Sequence, residues 1–155
     1  MKRLISACAV CAVAVAAVAA PSALGVKSTK QVASSVTVDV TPNPVVAGGK
    51  ATGRGTVSSN SNCQKDRTVV LEWVDASSVA TPAGSAQTNG SGKYKADLTA
   101  PAVAGTYTLR ATVQGPVIRK VGSKKKGQKT KKGRQFSCNA SLPTSSGAVT
   151  VNPAV

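Results

Sequence analysis

Histidine is absent from this 155-residue chain, and only five carboxylates accompany twenty lysines and arginines. Without an imidazole, acid–base or metal chemistry would fall to Asp39, Asp66, Glu72, Asp75 and Asp97. These alternate outward on expected strands or sit at strand ends, with no paired-carboxylate spacing, so they read as surface groups. No enzymatic activity, cofactor, metal or small-molecule substrate is expected. Large aromatics are equally scarce: Trp73, Tyr94, Tyr107 and Phe136 are all there are. Any core must therefore be built mainly of valine, leucine and alanine.

What is present begins with an export signal. Lys2 and Arg3 precede a charge-free apolar stretch over 4–18, and Ala17-Val18-Ala19 offers a small-x-small cleavage site. Residues 1–19 read as a cleaved signal peptide, with a cut after Ala23 as the fallback. An uncleaved membrane anchor is the rival, since the apolar run reaches Val26, but it is mostly alanine and Pro21 interrupts it. Ile5-Ser6-Ala7-Cys8 matches a lipoprotein box only as a string, because the apolar core follows that cysteine instead of preceding it. The expected localisation is secreted or extracellular, with association to the cell envelope.

Cleavage removes Cys8 and Cys11 and leaves Cys63 and Cys138, an even pair in an exported chain. One disulfide is the default expectation. A metal site is the weaker alternative, because the chain has no histidine and the two thiols are far apart. The mature chain keeps 18 basic and 5 acidic residues, about +13.

Residues 20–34 read as a linker, and beyond them helix signals are lacking while apolar residues alternate with polar ones at a period of two. Strands are expected at 36–41, 48–57, 68–75, 84–88, 93–98, 106–113 and 148–152. Residues 58–64 form a polar loop holding Cys63, 89–92 a turn, and 101–105 a corner. Asn89-Gly90-Ser91 and Asn139-Ala140-Ser141 are glycosylation sequons by string, read here as turn chemistry.

Four stretches over 35–152 resemble a bacterial immunoglobulin-like domain. Trp73 stands where the core tryptophan of the third strand belongs, and Gly105-Thr106-Tyr107 resembles a tyrosine corner. The 88–113 stretch resembles the fifth-to-sixth strand corner, and 35–49 a first strand with a proline kink. The resemblance implies an all-β, seven-stranded Greek-key sandwich spanning 35–153; the connection between its last two strands is too long for a plain loop and reads as a long basic hairpin at 115–137. It departs from the antibody pattern at Leu109, where that family carries its second core cysteine. In this topology the loops holding Cys63 and Cys138 emerge at one end of the sandwich, which suits a bridge between them.

Residues 119–134 carry nine cations in sixteen positions and no acid: Arg119, Lys120, Lys124, Lys125, Lys126, Lys129, Lys131, Lys132 and Arg134. Val117, Ile118 and Val121 before the run, and Phe136 after it, suit a projecting two-stranded ribbon. A run of one sign repels itself and points to a polyanionic partner: teichoic acid, an acidic polysaccharide, anionic lipid or extracellular DNA. Sequence-specific DNA reading is disfavoured, for lack of a recognition helix or interleaved aromatics. The expectation is a non-enzymatic adhesion module binding through this loop. The alternatives are a structural or protein-binding module that uses a sheet edge, and a loop that only keeps the chain soluble.

Overall fold

The computed structural model describes residues 29–123 and 131–155. The expected signal at 1–19, the first part of the linker, and Lys124, Lys125, Lys126 and Lys129 lie outside the described residues.

The alternation of small apolar and polar residues produces strands almost throughout. In chain order these are β1 (Thr29–Val32), β2 (Ser35–Val36), β3 (Asp39–Thr41), β4 (Val45–Val46), β5 (Lys50–Ser58), β6 (Thr68–Val74), β7 (Ala80–Gln87), β8 (Lys93–Thr99), β9 (Gly105–Val113), β10 (Val117–Ser123), β11 (Lys131–Cys138) and β12 (Thr144–Asn152). One short helix, α1 (Ser61–Gln64), interrupts them. The described residues are nearly all β, as expected, but they form twelve strands where seven were expected. The first expected strand is broken into β2 and β3, a proline-flanked segment adds β4, and β1, β10 and β11 form a sheet of their own.

Two sheets share the main core. One is five-stranded in the order β4-β12-β9-β6-β7; in the other, β5 pairs with β2 and β3 on one side and β8 on the other. Their inward faces follow directly from the period of two, since successive side chains point to opposite faces. Val69, Leu71 and Trp73 of β6 meet Leu109, Ala111 and Val113 of β9 and Tyr94, Ala96 and Leu98 of β8 in one buried cluster. The Trp73 indole Nε1 donates to the Thr99 carbonyl at 3.0 Å, so the one tryptophan is both buried and satisfied.

The break between β2 and β3 has a cause in the packing. Buried Tyr94 donates its hydroxyl to the Thr37 carbonyl at 2.7 Å, a polar contact that takes this acceptor out of the ladder. Burial also raises the Tyr94 pKa above its ordinary value. The neutral phenol is therefore favoured by folding, a contribution present below the unfolded value of about 10 and lost as pH rises past it. Gly55 makes room for the arrangement: a Cβ there would overlap the Thr37 carbonyl. Gly55→Ala is accordingly expected to lower unfolding free energy by about 1–3 kcal/mol through overpacking, measured by denaturant titration.

Three local expectations are corrected. Residues 29–32 are not linker but β1, running parallel to β11. The edge strand starts earlier than 84, with Pro82 tolerated because β7 is at the sheet margin. The 58–64 loop contains α1, because the Asn60 side chain caps it by accepting from Asn62 N at 3.0 Å. At four residues the helix is too short for any periodicity to announce it.

Candidate functional site

The basic segment does not extend the main sheets. β10 and β11 pair antiparallel from Val117↔Cys138 to Val121↔Arg134, and on to Ser123↔Lys131 past an irregularity, while β1 pairs with the other edge of β11. The result is a separate three-stranded sheet.

Register fixes what each face carries. Directly opposed residues share a face, so Val32, Cys138 and Val117 form one row and Lys30, Phe136 and Arg119 the next, with Arg134 and Val121 beyond. That face packs on α1. Cys63 and Cys138, both fully buried, are disulfide-bonded with Cα atoms 5.4 Å apart, and Phe136, Val32 and Val117 pack around them. This cluster is separate from the main core. The opposite face carries Ile118, Lys120, Gln135 and Ser137.

Side chains from three parts of the chain, the link before β6, the link after β7 and β10, close the end of α1, where a helix leaves carbonyls without partners. Arg67 Nη1 donates to the Cys63 carbonyl at 3.2 Å, Thr88 Oγ1 to the Gln64 carbonyl at 2.6 Å, and Arg119 Nη2 to the Lys65 carbonyl at 2.6 Å. Arg119 also pairs with Asp66 at 3.4 Å. It therefore clasps the small sheet to the body of the protein and is not a free cation, unlike its expected role.

The other basic residues divide. Lys120 and Arg134 are exposed, on opposite faces of the ribbon. Lys131 and Lys132 lie within β11. Of the carboxylates, Asp39 pairs with Arg54 at 3.2 Å and Glu72 with Arg110 at 2.8 Å, both on the main sheets, and Asp75 closes a turn by accepting from Ser77 N and Val79 N. Among the described residues, no acid but Asp66 forms an ion pair with the basic sheet. Asn89 does turn work as expected, its Oδ1 accepting from Ser91 N at 2.9 Å and Lys93 N at 3.0 Å.

No family model, curated protein or solved structure matches this chain. Function must therefore be argued from its own residues.

Two residues that matter here went unremarked in the sequence. Lys30 stood in an apparent linker, and only the parallel pairing of β1 brings it beside Phe136. Arg67 is fully buried at the junction of the two bodies. Its pKa is lowered from the ordinary arginine value, first by burial and then by the charge of Arg119. No sequence signal marks it beyond its place three residues after the Cys63 loop.

Proposed function

We propose that this chain is a secreted, non-enzymatic immunoglobulin-like module that binds an anionic polymer or surface through its basic ribbon. The single observation that carries the binding reading is the separateness of the ribbon. It has its own small core and its own disulfide, and it adds nothing to the main core, yet it holds half of the basic residues of the mature chain. A stretch that only maintained solubility would need neither a dedicated sheet nor a covalent tether.

Three observations support the immunoglobulin-like part. In that family's lettering, β2 with β3, β5 and β8 take the places of strands A, B and E, and β6, β9 and β12 those of C, F and G. Tyr107 donates its hydroxyl to the Val103 carbonyl four residues upstream at 3.1 Å, as a tyrosine corner does. Trp73 sits in the core of the strand C position. The antibody-type bridge between sheets has no counterpart, since Cys63 and Cys138 lie in α1 and the ribbon.

Partner capture by strand addition is the less favoured alternative, because two open edges of the main sheets are guarded. The unpaired side of β8 belongs to a strand carrying Lys93 and Lys95, and β7 contains Pro82.

The test is salt-dependent binding. With Arg119 engaged, the remaining ribbon cations can neutralise roughly 5–8 phosphates of duplex DNA, a convenient test polyanion, giving a log–log salt slope of roughly −4 to −7. Replacing Lys124, Lys125, Lys126, Lys129, Lys131 and Lys132 with glutamine should flatten the slope and leave the unfolding transition unchanged. Equal, weak binding of DNA, teichoic acid and acidic polysaccharide with and without those lysines would reduce the ribbon to a solubilising element.

A further inference from the structure

Where the start of α1 faces the β1–β11 edge there is a crevice of about 460 Å³, lined by Lys30, Asn60, Asn62, Arg134, Gln135 and Phe136. That volume falls within the roughly 300–1,000 Å³ of small-ligand sites. Its lining is unlike the rest of the basic ribbon. Lys30 and Arg134 come from neighbouring strands on the α1-facing side, and among the described residues neither is in an ion pair. Across from them, the Asn60 Oδ1 accepts from both Asn62 N at 3.0 Å and Asn62 Nδ2 at 3.1 Å. This orients the two amides side by side. The Asn60 Nδ2 and the Asn62 Oδ1 are left with no other hydrogen bond among the described residues, one a donor and the other an acceptor. Phe136 supplies the one apolar surface.

Two cations alone would suit any polyanion. Amides that both donate and accept, held next to those cations and beside an aromatic, suit an anion whose charged group is flanked by hydroxyls. A DNA backbone presents phosphates that can accept from the amide N–H groups, but it has no hydroxyl to donate to the Asn62 Oδ1. We infer that the crevice is a binding site for one hydroxyl-rich anionic unit of a glycan, a uronate or a polyol phosphate. Lys30 and Arg134 would take the carboxylate or phosphate, and Asn60 and Asn62 the hydroxyls. This rests on the polyanion reading of the ribbon and narrows it: the loop lysines supply non-selective attraction, and the crevice supplies chemical choice.

Asn62→Ala separates the two contributions, because it changes no charge and keeps the Asn60 cap, whose bond is to the backbone N of residue 62. The probes are tetragalacturonate, a short glycerol-phosphate oligomer, neutral maltotetraose and a duplex DNA, titrated calorimetrically against the disulfide-intact protein at fixed salt. Loss of paired hydrogen bonds should weaken one or both anionic glycan probes about five- to tenfold in Asn62→Ala, with DNA binding unchanged. Which of the two glycan probes responds identifies the anionic group. In the wild type, side-chain amide resonances of Asn60 and Asn62 should shift with that probe and not with maltotetraose. Lys30→Gln should weaken the same probe as well. Equal affinities of wild type and Asn62→Ala for every probe, or unmoved amide resonances at saturation, would overturn the crevice while leaving ribbon binding intact. A wild type that binds none of the anionic probes would overturn both.

Discussion

Removing the Cys63–Cys138 bridge is expected to release the small sheet while the main core stays folded. By the loop-entropy account, a cross-link between residues 75 apart stabilises the folded chain by about 4–5 kcal/mol. Where the loss appears is decided by geometry. The bridge does not join the two main sheets; it joins α1 to β11. Without it the small sheet keeps Phe136, Val32 and Val117 around the two thiols, far too little apolar surface for three short strands to stand alone. Local opening should therefore precede global unfolding. Hydrogen exchange on a Cys63→Ser/Cys138→Ser variant should show β1, β10 and β11 losing most of their protection while β6 and β9 keep theirs. A uniform loss over β5, β6 and β9 would mean that the two bodies unfold as one. Ribbon binding to DNA should largely survive, since it needs charge more than order. The affinity for glycan probes should fall, because the crevice requires β1 and β11 to be held against α1.

The sequence announces most of the main body and little of the ribbon's base. Val69, Leu71 and Trp73 alternate with polar neighbours, and all three are buried; Tyr94, Ala96 and Leu98 behave alike. A period of two is local information, readable without knowing the partner strand. The disulfide was legible for a different reason, as an even pair in a chain that looks exported. What could not be read depends on non-local pairing. Residues 29–32 carry no strong alternation, and they become a strand only because β11 offers an edge. The break at Thr37 needs the Tyr94 hydroxyl, fifty-seven positions away. α1 is a single turn held by one asparagine cap and by carbonyl acceptors' distant donors. Arg119 was read as part of a uniform charge run, and only its contact with Lys65 and Asp66 shows it to be structural. Composition counts charges but does not say which ones are already engaged.

Replacing Arg67 is expected to have the largest effect of any single substitution at the junction. Its side chain is fully buried without a carboxylate partner, an arrangement that is costly unless the guanidinium is hydrogen-bonded; Nε has no partner, so the two Nη groups carry all of the bonding. Here Nη1 donates to Ser34 Oγ at 3.2 Å and to the Cys63 carbonyl at 3.2 Å, and Nη2 to the carbonyls of Gln114 and Asn139, each at 2.8 Å. Those four acceptors belong to the approach to β2, to α1, and to the links on either side of the ribbon strands, so one planar group ties four chain segments. Arg67→Met keeps much of the volume and removes every donor. The buried Cys63 carbonyl left unpaired costs about 1–3 kcal/mol and the half-buried Gln114 and Asn139 carbonyls less each, partly offset because a buried charge and its repulsion with Arg119 are removed as well. The expected net loss is about 3 kcal/mol in denaturant unfolding. Arg67→Lys should recover only a minor part of it, because a single ammonium cannot reach acceptors spread over the width of the guanidinium fork. Since no ion pair is broken, the loss should be nearly the same at 50 mM and 500 mM salt, in contrast to the binding of polyanions by the ribbon. A loss under 1 kcal/mol for Arg67→Met would mean that water enters to satisfy the three carbonyls, and that the junction is held by the disulfide and Arg119 instead.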